Sequence, residues 1–482
     1  MIDLLFYTGI LLILAFLSRR ISNRVGKNWL SRGLTTAASF CLLFATFIFW
    51  ATPSINLPLP SGTHTVGLSH WVINTDRTEP FTLNPSDKRK LHIKVWYPTA
   101  DVSNIDFLHY RPAPKLAAYA SPNMAPVHAA LIGSIGPLSF LEPRLKKALA
   151  EAKLSTYAGP APLKTNEKFP VLLFSHGHRA HLDFFSTTMQ DLASHGYIVI
   201  GINHSYEVPH SIMPTGETFS RTDHIMEHSA ASDAQTYQSY EKQLATLTNN
   251  INNITSNGGF EANKERFAQA YNAIIDTPQD LTYDLPIRVA DMLSTIQFME
   301  HAAKQASASA LLKMMDLSKV GAFGMSFGGP TSAEFCRQYG KCIAAANIDG
   351  KNWGDMLRAP LDVPMLWIAG TYTQGERFDV PYTLENWQAS AFRVLVPGAT
   401  HQAFTDVPFL SPLLDVAVLE FPYNFMPRGH REDIHRVTNG ALVALFDHYA
   451  KDKAFNLNML ETALEGVIVE EYTAKINPAP LD

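Results

Sequence analysis

Three residues of the chain have the types and the order that nucleophilic ester chemistry requires. The first, Ser326, lies between Gly324 and Gly328 in a Gly-x-Ser-x-Gly pattern that occurs once in the 482 residues. The glycines are needed because the turn strains the serine backbone and brings a strand close to a helix. The pattern predicts a nucleophile elbow, with the serine hydroxyl at a helix N-terminus where the dipole favours negative charge.

A nucleophile elbow requires an acid and then a histidine, each after a later strand. Asp349 follows the stretch Ala-Ala-Ala-Asn-Ile, and His401 follows Leu-Val-Pro-Gly-Ala-Thr. We expect Asp349 to fix the tautomer of His401, and His401 to take the serine proton and return it to the leaving group. Each residue alone has an ordinary explanation. An aspartate after a strand commonly forms a turn, and in a chain with 18 histidines a single histidine is more often a surface or packing residue. Four competitors fit the order and the strand-end position less well: Asp355, Asp362, His430 and His435.

The oxyanion of such a reaction also needs two backbone N–H donors. In this arrangement one donor is the amide after the nucleophile, which here belongs to Phe327. The other comes from an earlier strand-to-helix loop, and Ser-His-Gly-His at 175–178 follows an apolar run. Gly177 permits a close approach there, so the amide of His178 is the predicted second donor.

The same loop has a metal-binding alternative. His-Gly-His-Arg-Ala-His at 176–181 resembles the His-x-His-x-Asp-His motif of metallo-β-lactamase-like hydrolases. Ala180 replaces the aspartate, so one metal site would lack its carboxylate ligand. The elbow accounts for the loop without a metal, and we expect neither a metal nor a cofactor.

Short apolar runs that alternate with helical stretches must position these residues. This alternation predicts an α/β protein with a mostly parallel, doubly wound sheet. The predicted strands are Leu91–Trp96, Val171–Ser175, Tyr197–Ile202, Val320–Phe323, Ile343–Ile348, Met365–Ala369 and Arg393–Val396. The predicted helices are Ile287–Ala303, Ser326–Tyr339 and Asn439–Tyr449. A polar stretch at about 205–286 interrupts the pattern and is predicted to be a cap insertion over the carboxyl edge of the sheet.

The N-terminus predicts a membrane hairpin over residues 1–53. Leu4–Leu17 and Leu34–Ala51 are apolar, and the segment between them carries five basic residues and no acidic one. A basic loop stays in the cytoplasm, so the rest of the chain would face the periplasm or the exterior of an inner membrane. A cleaved signal peptide and a pair of buried core helices are alternatives. A proline-spaced linker at 54–65 then leads to a catalytic domain at 66–482.

Composition excludes several classes of protein. Hydrophobic residues make up 46% and charged residues 17%, which excludes a disordered chain. A net charge of −5 provides no basic excess for binding nucleic acid. The three cysteines exclude a disulfide scaffold. Cys336 and Cys342 are close enough in sequence to form one bridge, and two buried free thiols are the equal alternative.

Several motifs together resemble the secreted, plasma-type platelet-activating-factor acetylhydrolases and their bacterial relatives. The matching stretches are Leu91–Pro98, Phe174–Gly177, Asp191–Tyr197, Gly324–Gly329 and His401–Phe404. The resemblance covers roughly residues 60–450 and implies an α/β-hydrolase fold and calcium-independent release of a short or oxidised sn-2 acyl chain from phospholipid. The resemblance implies the same catalytic residues as the motifs, namely Ser326, Asp349 and His401. It also implies the same oxyanion donors, the amides of His178 and Phe327. Two pocket positions depart from the family, which commonly has histidine at Met325 and leucine at His178.

We therefore expect a membrane-anchored serine esterase that acts on phospholipid-type esters through Ser326, Asp349 and His401. A general carboxylesterase, a polyesterase and a dienelactone-hydrolase-like enzyme are alternatives in the same class. A hydrolase fold that only binds is the alternative in another class, and the intact order of the three residues argues against it. The apolar run Phe409–Phe425 is either a lipid-docking surface or part of the core.

Overall fold

The structure is a computed structural model, and it describes most of the chain after the N-terminal segment. The described residues are 55–100, 116–118, 142–208, 210–220, 260–277, 280–359, 362–370, 379–384, 387–410 and 431–472, with some separate helical residues at 36–46 and 242–254. The predicted hairpin at 1–53 therefore lies almost entirely outside the described residues. In the part of the chain that is described, no helix combines the length and apolarity needed to cross a membrane.

An eleven-stranded sheet forms the centre of the molecule, in the order β13-β12-β11-β10-β9-β5-β6-β2-β1-β4-β3. A separate hairpin contains β7 and β8. The strands are β1 (Thr65–Thr78), β2 (Lys88–Thr99), β3 (Leu116–Ala118), β4 (Lys153–Ala158), β5 (Phe169–Ser175), β6 (Ile198–Asn203), β7 (His210–Ile212), β8 (Thr218–Ser220), β9 (Met315–Met325), β10 (Cys342–Ile348), β11 (Met365–Gly370), β12 (Ala391–Val396) and β13 (Ile468–Tyr472).

Six neighbouring strands in the middle of the sheet are parallel: β6, β5, β9, β10, β11 and β12. Next to them, β2 pairs antiparallel with β6, and β13 pairs antiparallel with β12. The helices are α1 (Glu142–Glu151), α2 (Ser186–Ser194), α3 (Phe260–Asp276), α4 (Asp280–Ala303), α5 (Ala310–Lys313), α6 (Gly328–Tyr339), α7 (Asp379–Leu384), α8 (Arg431–Lys451) and α9 (Met459–Ala463). The predicted mostly parallel sheet with helices is confirmed, and it is consistent with an α/β-hydrolase fold.

Two apolar cores lie on opposite faces of the sheet. Helices α2 and α8 pack on one face, and α4 and α6 pack on the other. The central strands are buried on both faces, which explains why they read in the sequence as continuous apolar runs. Because parallel strands end at one edge, residues that follow β5, β9, β10 and β12 meet there.

All seven predicted strands are present, with ends that differ by a few residues. Strands β1 and β4, outside the parallel centre of the sheet, mix buried and exposed residues along their length and were not predicted. Helix α4 begins at Asp280 and not at Ile287, and it contains Pro286. Proline usually marks a helix boundary, but Leu285 and Val289 on either side of it are buried in the core and hold this helix together.

The linker before β1 is bound along α2. The backbone amide of Ser61 donates to Asp191 Oδ1 (2.6 Å), and the amide of Gly62 donates to Ser194 Oγ (2.9 Å). Asp191 and Ser194 belong to one of the motifs that carry the family resemblance. Their contacts here are with the linker and not with the edge where the central parallel strands end.

Candidate active site

Ser326 lies on a sharp turn between β9 and α6. Its backbone is in the left-handed region, with φ of 55°, which is costly for a residue other than glycine. A side chain on Gly324 would overlap the carbonyl of Gly328, and one on Gly328 would overlap the carbonyl of Ser175. The two glycines therefore allow strand and helix to meet closely, and Ser326 stays half-buried at the carboxyl edge of the sheet. The turn at Ser326 therefore has the backbone geometry that a nucleophile elbow requires.

Asp349 follows β10, and the neighbouring strand β9 ends one residue before Ser326. Its backbone amide donates to the carbonyl of Ile368 (2.7 Å), and its Oδ1 accepts from the amide of Gly370 (3.3 Å). Its φ of 51° is again in the left-handed region. The amide of Ser326 donates to the carbonyl of Ile348 (2.8 Å), so the two turns are joined by a hydrogen bond. These contacts hold the carboxylate in one position.

His401 begins a short 3-10 turn, His401–Phe404, after β12. Its Nδ1 donates to Asp349 Oδ2 at 2.6 Å, and the aspartate side chain is fully buried while the histidine side chain is 28% exposed. Among the described residues no hydrogen bond joins His401 to the Ser326 hydroxyl, and such bonds commonly tighten only when substrate is bound. The structure thus pairs the predicted acid and histidine, at the same edge of the sheet as the predicted nucleophile.

The competing residues are placed elsewhere. Asp355 lies in a separate 3-10 turn, and Asp362 is exposed. His435, in α8, contacts Thr187 and Phe409. His430 lies outside the described residues.

The two predicted oxyanion donors lie on either side of the elbow. A Cβ on Gly177 would be 3.2 Å from Ser326 Cβ, so the 176–178 loop passes directly beside the serine. Phe327 immediately precedes α6, and the first amides of a helix have no acceptor within the helix. The rings of His178 and Phe327 are in edge contact, with centroids 5.8 Å apart.

Beneath the 176–178 loop lies a buried network of charged residues that the sequence did not indicate. Arg89 donates to Asp291 and Glu79, and Arg288 pairs with Glu207. His204 joins Asp291 (2.9 Å) to Ser175 Oγ (3.0 Å) at the end of β5. Burial lowers the pKa of His204 to about 4, so it is neutral at pH 7. Burial alone would raise the pKa of Asp291, but Arg89 and His204 hold it below its usual value.

His204, Glu207 and Asp291 place potential metal-ligand atoms within 4.8 Å of one another. Both oxygens of Asp291 already accept from Arg89, and Glu207 lies between two guanidinium groups. A divalent cation there would be repelled by the two arginines. The chemistry of this donor set does not fit a metal. The three histidines at 176–181, which were the metal-binding alternative, have separate partners: Arg288 lies near His176, Asp284 near His178 and Asp183 near His181.

Comparisons with known proteins confirm the family resemblance at low identity. A family model described as "Platelet-activating factor acetylhydrolase, isoform II" matches residues 52–213. A relative named platelet-activating factor acetylhydrolase from Canis lupus familiaris is 26% identical over 258 residues, 52% of this chain and 51% of the relative. Its counterpart from Cavia porcellus is 25% identical over 288 residues, 58% of each chain. The alignments span about half of the length of these relatives.

Structural similarity extends further along the chain. The solved structure of a ferulic acid esterase from Streptomyces cinnamoneus aligns with 83% of this chain and 94% of its own chain, with a TM-score of 0.58 and 18% identity. This similarity shows a shared fold. The segment matched by the family model includes Gly177 and His178 but ends before Ser326, Asp349 and His401, whose roles are therefore inferred from their geometry.

Proposed function

We propose that the chain is a serine hydrolase of carboxylic esters. The observation that carries the proposal is the 2.6 Å pairing of His401 with the buried Asp349, at the same sheet edge as Ser326 in its strained elbow. The similarity to platelet-activating-factor acetylhydrolases and the fold shared with an esterase support it. The types and the chain order of these residues match those of a Ser-His-Asp triad, which supports the proposal.

The proposed reaction proceeds through an acyl-enzyme. The Ser326 hydroxyl attacks the ester carbonyl while His401 Nε2 accepts its proton, and Asp349 stabilises the imidazolium that forms. The amides of Phe327 and His178 stabilise the oxyanion of the tetrahedral intermediate. The intermediate collapses as His401 protonates the leaving alcohol. Water then attacks the acyl-enzyme, with His401 again as the base, to release the acid and regenerate Ser326.

Replacement of the triad residues tests the reaction. We expect Ser326→Ala and His401→Ala each to lower kcat by at least about 10⁴-fold, and Asp349→Asn by about 10²–10⁴-fold through the wrong tautomer of His401. The losses should not add when the changes are combined, because the three residues act as one unit. The measurement is hydrolysis of p-nitrophenyl acetate, with labelling by a fluorophosphonate probe.

Ser318→Ala and His301→Ala alter exposed residues and serve as controls that keep wild-type activity. Wild-type turnover by a folded Ser326→Ala protein would end the assignment. A wild-type protein without activity on any ester, and without labelling by the probe, would favour the alternative of a hydrolase fold that only binds.

We propose a phospholipid with a short or oxidised sn-2 acyl chain as the substrate class. The relatives' name supports a short acyl chain on a lipid body. The predicted hairpin would hold the domain near a bilayer and raise the local lipid concentration. Phe409 and Leu410, at the start of the apolar run 409–425, are buried, and 411–425 lie outside the described residues. The proposal therefore does not depend on that run.

A series of p-nitrophenyl esters of increasing acyl length tests this substrate class. Each methylene offers only about 1–3 kcal/mol of discrimination, so kcat/KM should fall gradually from acetyl or butyryl towards long chains. Phospholipids with short, oxidised and long sn-2 chains should follow the same order. Fast cleavage of polyesters or preference for long-chain triglycerides, with no phospholipid cleaved, would favour a general carboxylesterase.

A further inference from the structure

One buried arginine, on the side of the 176–178 loop that faces α4, holds this loop in place. Arg288, in α4, donates through Nη1 to the carbonyl of His176 (2.6 Å) and through Nη2 to the carbonyl of Gly177 (3.4 Å). Its side chain is fully buried, and Glu207 is its ion-pair partner. A buried guanidinium makes strong, directional hydrogen bonds, and its planar fork suits two neighbouring carbonyls.

The direction of these bonds matters for the chemistry proposed above. The carbonyl of Gly177 and the amide of His178 belong to the same peptide group, and in a trans peptide they point in opposite directions. Because Arg288 approaches the Gly177 carbonyl from α4, the N–H of His178 points away from α4. The ring of His176 also donates through Nδ1 to the Gly177 carbonyl (2.8 Å), which restricts the same peptide further.

Arg288 also contacts Phe327, whose amide is the other predicted oxyanion donor. Its guanidinium carbon lies 4.9 Å from the centre of the Phe327 ring, in a cation–π contact. One turn earlier in α4, Asp284 lies 3.4 Å from Nε2 of His178. Residues 284 and 288 share one face of the helix, so α4 contacts both sides of the oxyanion site.

We propose that Arg288 is the positioning residue of the oxyanion hole: it fixes the peptide whose N–H stabilises the transition state and supports Phe327 on the other side. It touches neither substrate nor Ser326, and it acts through the orientation of a backbone donor. The inference rests on the proposed esterase function. Because a fixed donor stabilises charge that develops only in the transition state, its loss should lower kcat and leave KM nearly unchanged.

The main variant is the double change Arg288→Gln with Glu207→Gln. It removes both charges, so no unpaired ion remains buried. Loss of one oxyanion donor typically costs about 10²–10³-fold in kcat, and we expect a fall of that order with KM within about threefold. The Ki of a trifluoromethyl ketone, which mimics the tetrahedral intermediate, should rise by the same factor. The pH dependence of kcat/KM should keep its shape, because His401 and Asp349 are unchanged.

Arg288→Lys is the second variant, and it keeps the charge in case the double variant does not fold. An ammonium group can reach one carbonyl but not both, so kcat should be about tenfold below wild type and at least tenfold above the double variant. If only the lysine variant folds, its kcat, KM and Ki decide the outcome. A lysine variant with the kcat of wild type, or with a kcat no higher than that of the double variant, would count against the proposal.

The matched control is Arg89→Gln with Glu79→Gln, which removes a buried ion pair of the same network. Asp291 then keeps its ion pair with Arg77 (2.8 Å), and Glu207 keeps its pair with Arg288. The described hydrogen bonds of Arg89 go to Asp291, Glu79 and Ser205, and not to the 176–178 loop. This control should lower the melting temperature and keep kcat within about threefold of wild type. An equal fall in kcat in control and test variants would show that general destabilisation is the cause and overturn the inference.

The two proposals fail in different ways. An inactive wild type, or an active Ser326→Ala variant, overturns the esterase function and the inference with it. An active wild type whose folded Arg288 variants keep kcat and Ki within threefold overturns only the role of Arg288. A parallel rise in KM without a change in Ki would indicate a substrate contact and would also overturn it.

Discussion

At the scale of single residues, the candidate site depends on positions where the backbone is strained or where a side chain has no space. Ser326 and Asp349 both adopt left-handed backbone conformations, and hydrogen bonds to Ile348 and Ile368 hold them there. Such strain persists only where the surrounding structure compensates for it, and it is common at functional sites. Here the compensation comes from the neighbouring strands β10 and β11.

Gly328→Ala should damage both stability and activity. The added Cβ would overlap the carbonyl of Ser175, so β5 and α6 must separate. Overpacking of this kind costs about 1–3 kcal/mol, and the shift moves the loop that starts at Ser175 away from Ser326. Urea unfolding should show the loss of stability, and ester hydrolysis should show a lower kcat.

The matched control is Gly440→Ala in α8. Its Cβ would lie 3.1 Å from a methyl of Leu460, which can move, and alanine is the better helix former by about 0.5–1 kcal/mol. We expect unchanged activity and a stability equal to or above that of wild type. A Gly328→Ala protein as stable and active as this control would contradict the close packing at the elbow.

At the scale of elements, the helix that follows the nucleophile is covalently joined to the next strand. Cys336, near the end of α6, and Cys342, the first residue of β10, form a disulfide with Cα atoms 5.3 Å apart. The sequence left open a disulfide or two buried free thiols, and in the structure the two cysteines form the disulfide. The bridge ties α6 to β10, and Ser326 and Asp349 lie at the other ends of these two elements.

The disulfide should contribute about 2 kcal/mol to the free energy of unfolding, because it closes a short loop in the unfolded chain. Urea unfolding with and without reductant measures this contribution. Thiol counting on the denatured, unreduced protein should find one free thiol, that of Cys41, and three after reduction. A Cys41→Ser variant should show none before reduction. Three free thiols in the unreduced wild type would exclude the bridge.

At the scale of the whole molecule, we propose that the catalytic domain faces the periplasm or the exterior. The basic residues between the two apolar N-terminal runs support this orientation, and the disulfide is typical of oxidising compartments. The five basic residues are Arg19, Arg20, Arg24, Lys27 and Arg32.

Protease added to intact cells or spheroplasts should digest the domain and spare a cytoplasmic marker protein. Replacement of the five basic residues by glutamine should reduce the orientation bias, so that part of the domain becomes protected. Complete protection of the wild-type domain before lysis, followed by digestion after it, would reverse the proposed topology.

Features that depend on neighbours along the chain could be predicted from the amino-acid sequence. Apolar runs predicted the central strands, because strands buried on both faces need apolar residues throughout. The elbow glycines predicted the turn at Ser326, and chain order selected Asp349 and His401 for the other catalytic roles. Strands β1 and β4, which lie outside the parallel centre of the sheet, were missed because they are only partly buried and show no continuous apolar run.

Tertiary structure alone decided the features that depend on partners far apart in the chain. Arg288 was not a candidate, because its significance lies in contacts with His176, Gly177 and Glu207, and no local pattern indicates which carbonyls a buried arginine will meet. The disulfide depended on a Cα separation that sequence spacing does not fix. Only the fold brought His204, Glu207 and Asp291 together, and it placed Arg89 and Arg288 against their carboxylates, where the positive charge disfavours a metal ion. Local chemistry thus predicted which residues react, and long-range packing decided what holds them in place.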